Sequence, residues 1–303
     1  MEIKSPITNS NNVRLAEEFA VKTIVERYKK LFQLEVGKFF SQTEKVAVYE
    51  CLDTGYKFFY PFGLGGDSDF YGYLNKFPWY YMPWKWELEK AMGYVAPGME
   101  VLEIGCAKGD FLKKIIEAGA SATGLELSQS AAEYGRKQGL VILEEKIEEH
   151  ALKNKDKYDF VCLFQVFEHI DNVGEFFRAA LEVLKPGGKI LISVPNNDSF
   201  LGRDSQPSLN LPPHHLGWWN TRSLISLGNF FGAELLDLSF EPLQDYHLPY
   251  YYQVVFGDAF ARRLGQILGK IINKIIRPIF CLLLRPFAKD IVGHTIMAVY
   301  GKK

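Results

Sequence analysis

Short apolar runs alternate with helical stretches of ten or more residues between positions 98 and 240. This alternation predicts βα units that build a parallel sheet, because a parallel crossover needs a helix between two strands. The predicted strands are 100–104, 122–127, 140–143, 159–164, 189–194, 235–240 and 294–300. A helix is expected to begin near Thr221. We therefore expect an α/β fold with a doubly wound, seven-stranded, mostly parallel sheet.

The chain outside this pattern differs in character. Residues 13–40 carry Leu15, Phe19 and Ile24 at helical spacing, which predicts one or two helices. Residues 57–86 contain 13 aromatics among 30 residues, with prolines and glycines between them, and this predicts compact irregular structure. We divide the chain into an N-terminal extension (1–96), a core (97–240), an insertion (241–293) and the final core strand (294–303).

Charge and composition exclude several classes of protein. The 35 Lys and Arg against 36 Asp and Glu give a net charge of −1, so nothing favours a nucleic-acid partner. The four cysteines have no CxxC spacing, which argues against a disulfide scaffold and an iron–sulfur site. Residues 1–12 are polar, and no apolar run is long enough to span a bilayer. These features predict a cytoplasmic protein.

The segment 101–110, VLEIGCAKGD, is the strongest local signal. An apolar strand enters a glycine turn and leaves it as a helix, which lets a ligand approach bare backbone near a helix N-terminus. The spacing is E-x-G-x-x-x-G, not the G-x-G-x-x-G that a dinucleotide pyrophosphate requires. The carboxylate of Glu103 suits a cationic amino-acid group instead.

A second carboxylate, Glu126, follows the next predicted strand, seventeen residues after Gly109. A carboxylate at this strand end can accept hydrogen bonds from both hydroxyls of a ribose. Together with Glu103, it describes a site for an adenosyl ligand that lacks a pyrophosphate.

This segment resembles motif I of the class I S-adenosylmethionine-dependent methyltransferases, which have a Rossmann-like fold. Residues 158–170, 184–188 and 193–196 resemble later elements of that family, in the family's order. The resemblance implies S-adenosylmethionine as the cofactor. We expect methyl transfer to a small-molecule or sugar/lipid-linked acceptor, with oxygen as the methylated atom. The alternative is a catalytically inactive, cofactor-binding or membrane-peripheral scaffold of the same fold. The implied cofactor contacts are Glu103, Gly105, Cys106, Gly109, Glu126, Leu127, Ile147, Gln165 and Tyr81.

Two positions depart from the commoner family pattern. Ala107 replaces a glycine, so a positive φ there is costly. Lys146 stands where an acidic residue is common, so the adenine contact passes to neighbouring Ile147, or else the stretch is an ordinary solvated turn.

The segment 49–58 is similar to a zinc-knuckle edge that precedes the core in bacterial relatives. Only Cys51 of that edge is present, with Thr54 where a second cysteine would stand, and no histidine occurs before His150. Zinc needs about four N or S ligands, so we expect no metal. The aromatic stretch that follows, including Tyr80 and Tyr81, is either a lid over the cofactor or packing at the sheet edge.

Substrate is expected at the carboxyl ends of the parallel strands, where residues 196–220 begin. His214 and His215 in this loop are the candidate catalytic bases, because a hydroxyl acceptor needs a base and histidine titrates near neutrality. The alternative is that one of them only holds the loop in place. Gln165 and His169 are further candidates, with His169 expected to orient the loop.

The insertion carries an amphipathic stretch at 260–277. From residue 260 to the end of the sequence there are nine Lys or Arg against one Asp. The amphipathic spacing favours a solvated helix that covers the sheet or lies at a homodimer interface. The alternatives that the charge offers are peripheral contact of 260–289 with an anionic inner membrane and a cap for a lipid-linked or phosphorylated substrate. Pro278 and Pro286 are expected to break the helical pattern.

Overall fold

The computed structural model of the protein describes residues 2–80, 82–204, 207, 209–257, 259, 263 and 265–303. Within them, strands form one seven-stranded and one four-stranded sheet. The strands are β1 (Val13–Ala20), β2 (Lys45–Cys51), β3 (Lys57–Tyr60), β4 (Glu100–Ile104), β5 (Ser121–Leu125), β6 (Val141–Leu143), β7 (Tyr158–Phe164), β8 (Leu184–Pro195), β9 (Gly217–Trp218), β10 (Glu234–Pro242) and β11 (Val292–Gly301).

The described α-helices connect or extend these strands. They are α1 (Val21–Phe32), α2 (Ser68–Leu74), α3 (Trp86–Met92), α4 (Asp110–Glu117), α5 (Gln129–Lys137), α6 (Ile147–Ala151), α7 (Val173–Glu182), α8 (Thr221–Phe231), α9 (Leu248–Tyr252) and α10 (Gln266–Leu284). Short 3₁₀ turns occur at Gly37–Phe40, Phe167–His169, Phe200–Arg203, Asp245–His247 and Arg285–Asp290, and one π-helical turn at Gln253–Gly257.

The larger sheet has the strand order β10-β11-β8-β7-β4-β5-β6. Strands β6, β5, β4, β7 and β8 are parallel, whereas β11 is antiparallel to β8 and β10 is antiparallel to β11. The prediction of a seven-stranded, mostly parallel, doubly wound sheet is confirmed. The chain winds outward from β4 through β5 to β6, then returns to β7 on the other side of β4, which makes the β4/β7 boundary the topological switch point.

Both faces of this sheet are buried, as parallel sheets require. Leu102 and Ile104 of β4 pack in a core that includes residues of α7 and α8, and Val101 packs on the opposite face with residues of α3 and α4. Alternate side chains of a strand point to opposite faces, so Glu103 lies on the same face as Val101. An acid is therefore built into an apolar face of the sheet.

The prediction of helix at the N-terminus was wrong for Val13–Ala20, which is strand β1 and pairs antiparallel with β2. Leu15 and Phe19 are four residues apart, and a spacing of four places two side chains on one face of a helix and equally on one face of a strand. The pattern was therefore ambiguous. Helix α1 follows directly and buries Ile24 and Tyr28, as expected of a helix.

The aromatic stretch 57–86 is more regular than its sequence indicated, because it contains β3, α2 and the first residue of α3. Strand β3 pairs with β2 on one side and with the two-residue strand β9 on the other. Strand β9 comes from the loop after β8, so the smaller sheet is hydrogen-bonded to the loop that carries His214 and His215.

In the insertion, α10 continues through Pro278, so the expected break at that residue was wrong. Pro286 lies in the 3₁₀ turn Arg285–Asp290, after the α-helix has ended. Residues 260–262 and 264 of the predicted amphipathic stretch lie outside the described residues. Among the helices that are described, none combines the length and the apolar character needed to cross a bilayer.

Candidate functional site

The turn after β4 brings bare backbone to the switch point. The amides of Gly105 and Cys106 both donate to the carbonyl oxygen of Leu125, at 2.8 and 3.1 Å, which fixes the turn to the end of β5. Gly105 has φ +74°, and a Cβ at this residue would lie 2.5 Å from a methyl of Val166. Gly109 has φ +83°, and its Cβ would lie 2.3 Å from Leu140. Both glycines are thus required by conformation and by space.

Ala107 lies in the middle of this turn with φ +49°. The sequence led us to expect that alanine would disfavour a positive φ here, but the structure adopts it. The amide of Ala107 donates to Oε2 of Glu126 at 2.8 Å. A left-handed conformation costs a non-glycine residue about 1–2 kcal/mol, so the turn is held against a small strain.

Glu126 bridges the two turns that follow β4 and β5. Its Oε2 accepts from Ala107, and its Oε1 accepts from the amide of Ser128 at 2.7 Å. An ionised carboxylate has about four lone-pair positions, so each oxygen can still accept another hydrogen bond. The side chain is half-buried and fixed in orientation, as a ribose-binding carboxylate needs to be.

Glu103, near the end of β4, is the most unusual group of the site. It is 5% exposed, and its Oε2 has no hydrogen-bond partner among the described residues. Burial, with the negative charges of Glu126 and Asp110, raises its pKa to about 8. A buried carboxylate without a partner is costly, and a cation placed against it would remove that cost. The ammonium of an amino-acid group fits this requirement.

The other predicted cofactor contacts lie in different settings. Cys106 is buried, and its sulfur fills the space beside Gly124, where a Cβ would lie 2.3 Å from it. Leu127 is exposed beside the turn, whereas Ile147 is buried in the core at the start of α6. Tyr81 lies outside the described residues.

Gln165, the first residue after β7, was also predicted to contact the cofactor. It has φ +54°, and its amide donates to the carbonyl oxygen of Ser193 at 2.9 Å. Its Nε2 is buried without a partner among the described residues. Gln165 is therefore a donor that a ligand at the switch point can satisfy.

The two predicted catalytic histidines are joined by a third. The rings of His214 and His215 stack at 4.4 Å between centroids, and His169 from the turn after β7 lies 4.7 and 5.0 Å from them. The amide of Leu216 donates to the carbonyl oxygen of Glu168 at 2.7 Å, and this bond fastens the loop to the turn. We refer to His169, His214 and His215 as the histidine cluster.

Burial holds the pKa values of these histidines below their ordinary range, to about 4 for His169. Nδ1 of His214 lies 2.8 Å from the carbonyl oxygen of Leu209, and its Nε2 lies 2.8 Å from the hydroxyl of Tyr80. His169 donates from Nδ1 to the carbonyl oxygen of His214, so it orients the loop as expected.

Sequence reasoning missed Glu168, which lies between the cluster and the end of β7. It is 1% exposed, neither carboxylate oxygen has a partner among the described residues, and burial raises its pKa to about 8. Glu87 of α3, Ser193 of β8 and Asn196 also carry a buried polar atom without a described partner. These unsatisfied groups come from strand ends and from α3, so no contiguous motif records them.

The fold and this site define a class: a doubly wound α/β domain whose switch point combines a glycine turn with two carboxylates. Residues 81–238 match the family described as a methyltransferase domain, which is more than half of the chain. The chain belongs to this methyltransferase family, of the class I S-adenosylmethionine-dependent type, and the resemblance drawn from its motifs is confirmed. S-Adenosylmethionine is the cofactor of this class.

Two curated relatives are ubiquinone biosynthesis O-methyltransferases, from Citrobacter koseri and Escherichia coli (strain K12 / DH10B). Each is 30% identical over 119 residues, which is 35% of this chain and 49% and 50% of the respective relative. The chain thus spans about half the length of the curated relatives it matches. A solved S-adenosylmethionine-dependent methyltransferase from Archaeoglobus fulgidus is 18% identical with a TM-score of 0.50, covering 71% of this chain and 91% of that one, and shares the fold.

Proposed function

We propose that this protein binds S-adenosylmethionine at the switch point and transfers its methyl group to an oxygen of a small-molecule or sugar/lipid-linked acceptor. One observation carries the proposal: the buried, unpaired carboxylate of Glu103 lies on β4 next to the turn that Glu126 holds in place. That pair suits an ammonium and a ribose diol, and the spacing of the turn excludes a pyrophosphate.

In this proposal each residue has a separate task. Glu103 accepts the ammonium of the amino-acid part, and Glu126 accepts the ribose hydroxyls. The turn 105–109 lets the ligand approach the backbone. The bound cofactor supplies an electrophilic methyl group on a positively charged sulfur, so the protein mainly has to align the acceptor with it.

Methylation at oxygen is supported by the relatives, which are named O-methyltransferases, and by the polar groups beyond the cofactor site. Of the two predicted bases, His215 is the better placed. Both ring nitrogens of His214 already have partners, whereas Nε2 of His215 lies 3.9 Å from Oε1 of Glu168. His215 would take the acceptor's proton directly, as a weak base, because burial lowers its pKa.

Calorimetry with S-adenosylmethionine tests the cofactor assignment. Glu103→Gln and Glu126→Ala each remove a charge-assisted hydrogen bond, so we expect about 10- to 100-fold weaker binding. Glu117→Gln, at the far end of α4, is the matched control and should bind like the parent. Because Glu103 holds a proton below pH 8, binding at pH 7 should also release up to about one proton, which is visible as a dependence of the heat on the buffer.

Absence of binding, or equal affinity in Glu126→Ala and the parent, would overturn the proposal. Tight binding without methyl transfer to any acceptor in a screen of hydroxylated compounds would favour the alternative of an inactive cofactor-binding scaffold.

A second proposal concerns peripheral membrane contact. Large apolar side chains along α10 and the turn after it are exposed, with basic residues beside them. An apolar surface flanked by positive charge is typical of helices that lie on anionic membranes. The exposed apolar residues are Ile271, Ile275, Ile276, Ile279, Leu282, Leu283 and Phe287.

A further inference from the structure

The histidine cluster presents one ring nitrogen from each of three histidines, and these three atoms lie within 4.8 Å of one another. Glu168 borders them, with Oε1 at 3.9 Å from Nε2 of both His169 and His215. We propose that His169, His214, His215 and Glu168 bind a divalent transition-metal ion of the zinc type. This proposal does not depend on methyl transfer.

The hydrogen bonds around the cluster support the assignment. Histidines that bind a metal through one ring nitrogen almost always donate a hydrogen bond from the other ring N–H to a carbonyl or carboxylate oxygen. That hydrogen bond fixes the orientation of the ring. In all three residues Nδ1 meets such an acceptor: the carbonyl oxygen of His214 for His169, that of Leu209 for His214 and Oδ1 of Asn210 for His215. Nε2 is then the ligand atom offered to the ion, although Nε2 of His214 also meets the hydroxyl of Tyr80 at 2.8 Å.

Glu168 is the independent observation that points to a cation. A carboxylate that is almost fully buried needs a partner, yet neither of its oxygens has a hydrogen bond among the described residues. Burial disfavours the charged form of this carboxyl group, and an ion held by the adjacent imidazoles would stabilise its carboxylate form. A cluster that served only to pack the loop would have no use for this acid.

The distances are suitable for an ion-free site. With zinc–nitrogen bonds of about 2.0–2.1 Å, ligand atoms in a tetrahedral site lie about 3.3 Å apart, so the ring nitrogens would approach one another by at most about 1.5 Å. The hydroxyl of Tyr80, now 2.8 Å from Nε2 of His214, would move aside. Imidazole and carboxylate ligands select zinc and its neighbours in the first transition row.

The expectation of no metal came from the knuckle-like segment around Cys51, which lacks ligands. The new cluster is elsewhere, and its members come from residues 168–169 and 214–215, which no zinc-ligand spacing connects. In methyl transfer the acceptor oxygen would bind the ion as a fifth ligand, and its hydroxyl, with a lowered pKa, would lose its proton to solvent instead of to a protein base. That role rests on the proposed function, whereas ion binding does not.

The test uses the full untagged chain, dialysed against EDTA and then titrated with Co²⁺ and Zn²⁺. We expect one ion per chain, a visible absorption band of four-coordinate Co²⁺, and its loss when Zn²⁺ is added. His215→Ala and Glu168→Gln should each weaken binding by at least about tenfold, whereas His150→Gln, which changes a histidine of α6, should not. Circular dichroism establishes that each variant is folded.

If the cluster variants fail to fold, X-ray absorption of the zinc-loaded parent decides, because it must show about three imidazole nitrogens around the ion. No stoichiometric binding, binding that survives His169→Ala together with His215→Ala, or a coordination shell without imidazole would overturn the proposal. An ion that binds without any methyl transfer would overturn only the proposed function. If the chain binds S-adenosylmethionine but binds no ion, only this inference is overturned.

Discussion

Glu103, the proposed acceptor of the cofactor's ammonium, is a buried acid that opposes the stability of the fold. The strand around it is apolar and buried, and a neutral side chain would suit that environment better than an acid. The raised pKa of Glu103 measures the mismatch, since burial favours the protonated form. Binding of a positively charged ligand would offset the unfavourable burial of the carboxyl group.

We expect the effect of Glu103→Gln on stability to depend on pH. The pKa of Glu103 is about 8 in the folded protein and 4.5 as its ordinary value, so between these pH values the folded state holds a proton that the unfolded state has lost. Its contribution to the free energy of unfolding therefore falls as pH rises through this window, by at most about 1.4 kcal/mol per unit, and is level above pH 8.

Glu103→Gln removes that dependence. In urea unfolding, the free energy of unfolding of the variant relative to the parent should be higher at pH 8 than at pH 5.5. This gain is expected although the variant should bind the cofactor more weakly. Glu117→Gln, an exposed acid, should keep a constant difference from the parent. A difference for Glu103→Gln that does not change with pH would contradict a raised pKa.

Ala107→Gly should stabilise the protein. Glycine relieves the left-handed strain of about 1–2 kcal/mol but adds about 0.4–1 kcal/mol of freedom to the unfolded chain, so the net gain is about 0.8 kcal/mol at the middle of both ranges. Thermal and urea unfolding measure it. Ala179→Gly, inside α7, is the control and should destabilise by about 1 kcal/mol. Destabilisation by both variants would mean that the turn is not strained.

At the scale of elements, the two-residue strand β9 connects the smaller sheet to the site. Gly217 of β9 pairs with Phe58 of β3 and packs against the ring of Tyr56. Tyr56 packs on Trp219 at 4.2 Å between centroids, and Trp219 stacks on Phe167 at 4.6 Å, beside Glu168. A change in β9 should therefore be transmitted to the histidine cluster.

Gly217→Ala should destabilise the protein by about 1–3 kcal/mol, because its methyl group would lie 1.8 Å from the hydroxyl oxygen of Tyr56. Urea unfolding measures the loss. Gly37→Ala is the control: nothing lies within 4 Å of its Cβ position, and stability should stay within about 0.5 kcal/mol of the parent. Unchanged stability in Gly217→Ala would show that β9 or the side chain of Tyr56 can shift to accommodate the methyl group.

At the scale of the whole molecule, the excess of basic residues and the exposed apolar surface of α10 occur in the same region of the chain. The net charge is −1, yet the sequence after residue 259 is strongly basic. A cationic, apolar region on a nearly neutral protein can orient it on an anionic surface. Such an orientation would bring the proposed site close to a lipid-linked acceptor in the membrane.

We expect the full chain to co-sediment with vesicles that contain phosphatidylglycerol, and to bind less at high salt and to pure phosphatidylcholine. Replacing Ile275, Leu282 and Phe287 by serine should remove most of the binding, because it deletes exposed apolar area. Leu152→Ser, which changes an isolated exposed leucine, is the control. Failure to bind anionic vesicles would exclude the membrane role; a concentration-dependent dimer that the triple variant abolishes would instead identify a homodimer interface.

The sequence alone determined the core of the fold and the cofactor turn. Strand β4, the glycine turn and α4 are contiguous, and apart from the positive φ of Ala107 their conformations follow from neighbouring residues: apolar side chains in the strand, glycines at 105 and 109 where φ is positive, and amphipathic spacing in the helix. The parallel order of strands then brings Glu103 and Glu126 together, because the ends of adjacent parallel strands share one edge of the sheet. Local rules were sufficient here.

Tertiary structure decided the features that depend on contacts between distant residues. Strand β1 exists because β2 supplies its hydrogen-bond partners, and its own spacing of apolar residues could not distinguish strand from helix. His169 and His214 stand 45 positions apart and meet only because the loop after β8 folds back on the turn after β7. Whether a buried acid such as Glu168 has a partner depends on every element around it, and a linear pattern carries no record of that environment.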